Sequence, residues 1–342
     1  MPNIKSEPEV PLIINFDRIW RFVPMNRPQK EFLKTLLFSF FPVFFRRWAV
    51  YQNWQHARCF VKGSFSWSKG FRSAITMDKA FQQPPIELPI IQLPKTALVI
   101  HAFYPEILCE LLELLESAFI PEPKLFVTCQ HGHEAICHEI LKKRGLPYKL
   151  LAVNNRGRDI LPFLTMAPFA LDENFEIILK LHTKKSMHLK RNLEWRNDLY
   201  SKLISGDSPS RLLALFKQYP HLGLIAPAGH IQPMSLYYGA NAARLKELCI
   251  RMGVEEDRLR DYIFIAGSMF AIRAKALEPL LSLGLKECDF EPESRQTDGT
   301  MAHALERIFT SALVVNDMTL CDTESYSGHP RLSVSRNYKF TL

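Results

Sequence analysis

The chain lacks any CxxC pair. Its seven cysteines are scattered over 342 residues, which argues against a disulfide scaffold and makes a reducing compartment, the cytoplasm, the default expectation. A secretory signal is missing too, because Met1-Pro-Asn-Ile-Lys-Ser-Glu-Pro-Glu9 has neither a basic start nor an apolar run. No apolar stretch is long enough to span a bilayer: the best, Phe32 to Val50, is broken by Pro42. Its aromatics lie beside Lys30, Lys34, Arg46 and Arg47. That pattern suits either a peripheral anchor at the inner face of the cytoplasmic membrane or a helix packed on the main domain. Internal repeats, low-complexity tracts and recognised RNA or DNA modules are also absent, so no nucleic-acid partner is expected despite the positive charge.

Acidic residues are the minority, 35 against 43 Lys and Arg, giving a net charge of +8 and a pI near 9.1. Such a balance favours anionic partners, among them a lipid surface or the diphosphate of an activated sugar. With 47% hydrophobic residues the chain has ample material for a packed core.

The proline-rich segment Gln82 to Pro94 reads as an extended linker and sets a boundary. Residues 1–94 then form a basic, aromatic N-terminal extension, and 95–342 an α/β domain. Strands are expected at 96–101, 124–129, 148–153, 175–181 and 221–226. Helices are expected at 107–119, 134–144, 160–170 (interrupted at Pro168) and 193–205. Later, 262–272 reads as one strand broken by Gly267-Ser268, and 299–309 as a helix. The alternation predicts a mostly parallel, Rossmann-like sheet with helices on both faces.

Ligands of such sheets sit beyond the carboxyl ends of the strands, and those positions are polar here: His101 with Tyr104, Gln130 with His131, Asn154-Asn-Arg-Gly-Arg-Asp159, and His182-Thr-Lys-Lys-Ser186. In Asn154–Asp159, backbone donors and the cations Arg156 and Arg158 are suited to an anion, with Asn155 beside them; Asp159 alternatively caps the next helix. Lys180, His182, Thr183, Lys184 and Lys185 form a basic cluster that would neutralise a diphosphate, or else a solvated loop. Gly267 and Ser268 mark either a close ligand approach or a bulge. Asp298 is a good N-cap residue, and helical spacing sets it near His303, Glu306 and Arg307 as a catalytic group or an ordinary cap and ion pair. Cys129-Gln-His-Gly-His-Glu-Ala-Ile-Cys-His138 fits no standard zinc spacing, and its histidines read as structural or surface residues.

Taken together, Ile100-His-Ala-Phe-Tyr104, Asn155–Asp159, Lys180-Leu-His-Thr-Lys-Lys-Ser186, Gly267-Ser-Met-Phe270 and Asp298–Arg307 resemble the rhamnan synthesis protein F family over about residues 96–320. The order of elements also looks like the GT-A glycosyltransferase fold. The resemblance implies a glycosyltransferase of bacterial surface polysaccharide (O-antigen of lipopolysaccharide, or wall rhamnan). It would move a sugar, with rhamnose from dTDP-rhamnose the expected donor, from a nucleotide sugar to a glycan or lipid-linked glycan. Inverting single displacement is the expected mechanism, with Asp298 as base and the cations of Lys180 to Lys185 with Arg156 or Arg158 on the leaving diphosphate. That fold usually ends its fourth strand in Asp-x-Asp, whereas this chain has Leu181-His182-Thr183. No cofactor is therefore firmly expected, and a divalent cation stays an open alternative. The competing reading is a non-catalytic domain that binds nucleotide sugar or glycan and organises an assembly complex.

Overall fold

Thr96-Ala-Leu-Val-Ile-His-Ala102 is buried at every position, as a central parallel strand must be when helices cover both faces. It is β1 of a computed structural model that describes residues 23–61, 93–183, 192–254, 263–294, 296, 298–335 and 338–340. The other strands are β2 (Lys124–Gln130), β3 (Tyr148–Val153), β4 (Ile177–His182), β5 (Leu222–Ala226), β6 (Ile231–Pro233), β7 (Ile263–Ile265), β8 (Phe270–Arg273) and β9 (Thr319–Asp322). Seven of them form one sheet in the order β3-β2-β1-β4-β8-β5-β9, while β6 and β7 make a separate antiparallel pair. Pairing is parallel through β3-β2-β1-β4 and again at β5-β9, and β8 runs antiparallel between β4 and β5.

The chain steps outward from β1 to β2 and β3, then returns to place β4 on the other side of β1. That reversal makes a topological switch point at the carboxyl ends of β1 and β4, the place where open α/β sheets take their ligands. Register pairs His101 with His182 at this edge. Helices close both faces: one core gathers Phe126, Phe163, Met166, Phe270 and Phe309, the other Ile100, Leu108, Leu111, Trp195 and Phe216.

The helix Ile160–Asp172 runs through Pro168 rather than breaking there. Phe163, Met166, Ala167 and Ala170 are buried along it, and this burial outweighs the roughly 3 kcal/mol that an interior proline costs. The expected single strand 262–272 is two strands in two sheets, β7 and β8, because Gly267 and Ser268 both take positive φ (94° and 49°) and turn the chain between them. The expected helix 299–309 is Met301–Glu306, followed by a second helix, Phe309–Val315. Its N-cap is Thr300, whose hydroxyl accepts from the His303 amide; the cap therefore does not fall to Asp298.

In the N-terminal region, helix Arg27–Phe40 ends at Phe41, and Pro42 opens the short helix Pro42–Phe45, in keeping with the expected break. Most of the linker, 82–92, lies outside the described residues.

Candidate functional site

β4 carries a lysine in the middle of an apolar run, and its environment organises the site. The Lys180 side chain is 1% exposed. Its ammonium donates to Asp159 Oδ2 at 2.7 Å, to the Ser268 carbonyl at 2.7 Å and to Ser268 Oγ at 3.3 Å. Three phenylalanine rings surround it, Phe163, Phe270 and Phe309, with centroids 5.3, 5.9 and 5.8 Å from Nζ, so cation–π attraction adds to the ion pair. Ser268 Oγ also donates to Asp159. Lys180 is thus a buried structural cation and not a phosphate-facing one. Asp159, although it stands at the N-cap position of its helix, makes no side-chain cap bond there; its carboxylate is turned to Lys180.

Both partners reach Lys180 through left-handed backbone. Gly157 and Arg158 (φ 66° and 57°) precede Asp159, and Gly267 and Ser268 form the matching turn. Only glycine fits at 157, where a Cβ would lie 2.5 Å from Leu161 Cβ and 2.7 Å from Phe290 Cδ1. Non-glycine residues held at positive φ cost of order 1–3 kcal/mol each and concentrate at functional sites.

Above this floor, the exits of β1 and β4 are tied together. The Thr183 amide donates to the His101 carbonyl at 3.0 Å, the Tyr104 amide to Thr183 Oγ1 at 2.8 Å, and the Tyr200 hydroxyl to the His182 carbonyl at 2.7 Å. His182 Nε2 donates to the Gly267 carbonyl at 2.9 Å. His101 Nδ1 lies 3.0 Å from Thr128 Oγ1, and burial pushes the His101 imidazole down to about 3. Unfolded His101 takes up a proton near pH 6.5 while the folded residue refuses it down to about 3. The unfolded state therefore binds more protons in that window, and stability falls as pH drops through it, by up to about 1.4 kcal/mol per unit. Tm is expected to decline from pH 6.5 to about 5, and His101→Asn to flatten the decline; a flat wild-type profile in differential scanning fluorimetry would contradict the buried neutral imidazole.

Acids that sequence spacing could not reveal balance the expected anion loop. Arg156 faces Glu287 at 3.9 Å, Asn154 donates to the same carboxylate at 2.9 Å, and Arg158 pairs with Glu293 at 3.7 Å while donating to the Gln296 carbonyl. Asn155 is exposed and Arg156 half-buried. Lys184 and Lys185 lie outside the described residues.

The three groups expected to be catalytic separate into different settings. Asp298 accepts from the Ala240 amide at 3.0 Å, Asn241 Nδ2 at 2.6 Å and Arg307 Nη2 at 3.2 Å. Burial opposes its ionisation, but Arg307 and those donors outweigh it and hold the carboxyl below its ordinary value. The His303 ring is buried against Thr300, with Nδ1 2.7 Å from Oγ1. Glu306 is half-buried, and its one hydrogen bond among the described residues is a long one, 3.4 Å from the Gly267 amide.

A further polar chain was not anticipated. The Trp195 indole donates to the Tyr338 hydroxyl at 2.8 Å, that hydroxyl donates to His230 Nδ1 at 2.7 Å, and His230 Nε2 donates to Asp198 at 2.7 Å. Burial drives the His230 imidazole down; burial also works against ionised Asp198, yet His230 and Lys202 bring that carboxyl to about 2. Trp195 is the wall against which Gly267 turns, for a Cβ there would come within 2.7 Å of its ring. The signal was His230 four residues beyond β5, at the same ligand-bearing edge. The histidine and cysteine run 129–138 forms no metal cluster: His138 bonds Tyr148 and His131 faces Glu134, and among the described residues no three metal-binding side chains converge.

Residues 76–318 match the family described as rhamnan synthesis protein F. The match begins upstream of the extent expected from the motifs. Two curated relatives, each named "Uncharacterized protein WxcX" and belonging to two strains of Xanthomonas campestris pv. campestris, are 32% identical over 276 residues, 81% of this chain and 39% of their own length. The chain therefore spans about two fifths of these relatives.

Proposed function

The chain belongs to the rhamnan synthesis protein F family, and from that premise we propose that it is a glycosyltransferase of bacterial surface-polysaccharide assembly, taking a nucleotide sugar as donor. One observation carries the reading: a buried Lys180–Asp159–Ser268 network lies beside the carboxyl ends of the paired strands β1 and β4. A buried ion pair adds little net stability over apolar packing, so its presence at the ligand-bearing edge favours a site held rigid for binding. The order of strands and helices is also compatible with a GT-A-like domain, with β4 central and the helix Met301–Glu306 beyond it.

In this reading the donor diphosphate lies at the carboxyl edge of β1 and β4, near Tyr104 and Asn155, neutralised by Arg156 and by Lys184 and Lys185. An acceptor hydroxyl attacks the anomeric carbon. Its proton passes to a carboxylate, the bond from the anomeric carbon to the diphosphate oxygen breaks, and the nucleoside diphosphate leaves with the electron pair, inverting the centre. Glu306 suits the base better than Asp298, since it meets the Gly267 turn that contacts His182 at the end of β4 and is not committed to three donors. Asp298 instead fixes the turn at 239–241.

The second reading, a non-catalytic domain that binds nucleotide sugar or glycan, draws on Leu181-His182-Thr183 standing where Asp-x-Asp would. Incubating the full chain with a panel of nucleotide sugars, dTDP-rhamnose first, and a lipid-linked glycan acceptor, with and without chelator, separates the two by mass spectrometry. Transfer supports the enzyme; binding by calorimetry without transfer or donor hydrolysis supports the rival.

A further inference from the structure

The N-terminal helical hairpin, Arg27–Phe40 and Pro42–Phe45 followed by the returning helix Ala49–Val61, presents an apolar surface that the rest of the described protein does not cover. Its inner side is a closed aromatic cluster of Phe38, Phe45, Tyr51 and Trp54, with ring centroids 5.0–5.4 Å apart. The outer side is the reverse. Phe40, Phe41, Val43 and Phe44, which bracket Pro42, are 73%, 59%, 74% and 73% exposed. Isolated exposed apolar side chains are ordinary, but a contiguous group marks a contact surface. The same segment buries Phe38 and Phe45 completely or nearly so, so the exposure of their neighbours is a property of this turn and not of a chain too short of core.

Charge narrows the partner. Arg46 and Arg47 follow the turn after the buried Phe45, are exposed, and form no ion pair among the described residues. From Phe32 to Val50 the sequence contains no Asp or Glu. The partner must therefore accept apolar side chains and offer negative charge beside them, the combination presented by the headgroup region of an anionic bilayer. No helix among the described residues is long and apolar enough to cross a membrane, which leaves shallow insertion. We propose that the Phe40–Phe44 turn inserts into the surface of an anionic phospholipid bilayer, with Arg46 and Arg47 on lipid phosphates. The hairpin would carry the sheet domain with it, for Arg27 Nε donates to the Leu236 carbonyl at 2.8 Å and its guanidinium lies 3.8 Å from the Tyr237 ring centroid. This inference stands independently of the reaction at the sheet edge.

The test is flotation of the full chain with phosphatidylcholine vesicles, with and without phosphatidylglycerol. The wild type should float with the anionic vesicles and detach as salt rises. Phe40→Ser combined with Phe44→Ser should weaken partitioning more than about tenfold, and Arg46→Glu with Arg47→Glu should remove the preference for anionic lipid. All four positions are exposed, and an unchanged Tm shows that each variant is folded. Wild-type protein that does not float, flotation indifferent to the serine pair, or self-association through this turn without lipid binding would each overturn the proposal.

Discussion

Lys180→Met is expected to destabilise the protein by about 3–5 kcal/mol, because it strands the buried Asp159 carboxylate without its countercharge. Asp159 keeps the hydrogen bond from the Ser268 hydroxyl but loses its countercharge, so its carboxyl must rise toward protonation to stay buried. The loss should therefore shrink as pH falls, a signature that simple removal of packing would not give. Lys180→Met with Asp159→Asn removes both charges and should recover most of the lost stability. Urea denaturation of the single and double variants checks this; a Lys180→Met protein within about 1 kcal/mol of wild type would mean that the pair is not desolvated as described.

Glu306→Gln is expected to lower kcat by about a thousandfold while leaving donor affinity unchanged, since the amide keeps the size of the side chain and a hydrogen-bond acceptor but cannot take the acceptor proton. Asp298→Asn should behave differently. It loses the ion pair with Arg307 and weakens the grip on Ala240 and Asn241, so its first effect falls on stability and on KM. Steady-state kinetics of the two variants, with Tm as a control, decide the assignment. Near-normal turnover in Glu306→Gln together with a folded, inactive Asp298→Asn would transfer the role of base to Asp298.

The sheet was legible where burial dictates composition. β1, β2 and β4 are buried along almost their whole lengths, so apolar runs of strand length, separated by helical periodicity, located them to within a residue or two. β8 was legible as a strand but not as an antiparallel one, because direction depends on how far the chain travels between strands and leaves no mark on the strand itself. The two halves of 262–272 merged in the sequence reading because both are apolar; only the consecutive positive φ values of Gly267 and Ser268 separate them.

The site divides along the same line. A lysine inside an apolar strand was visible, yet its partners lie 21 and 88 residues away, so sequence offered the cation without the groups that neutralise it. The arginines of 156–158 were likewise legible and Glu287 and Glu293 were not, for the same reason of separation. At 298–303 two N-cap residue types compete two positions apart, and His303 completes the capping box with Thr300 in the place usually held by Glu or Gln. Among residues 32–50 the aromatics divide, Phe38 and Phe45 packed inward and Phe40, Phe41 and Phe44 exposed, a division that helical spacing around Pro42 did not reveal.

We propose that a nucleotide diphosphate binds at the carboxyl edge of the paired strands β1 and β4. A crystal structure of the full chain with dTDP should show the diphosphate beside Arg156 and Tyr104, next to the Lys180–Asp159 pair. Ordered nucleotide on any other face of the sheet, with this edge empty, would overturn the proposed site.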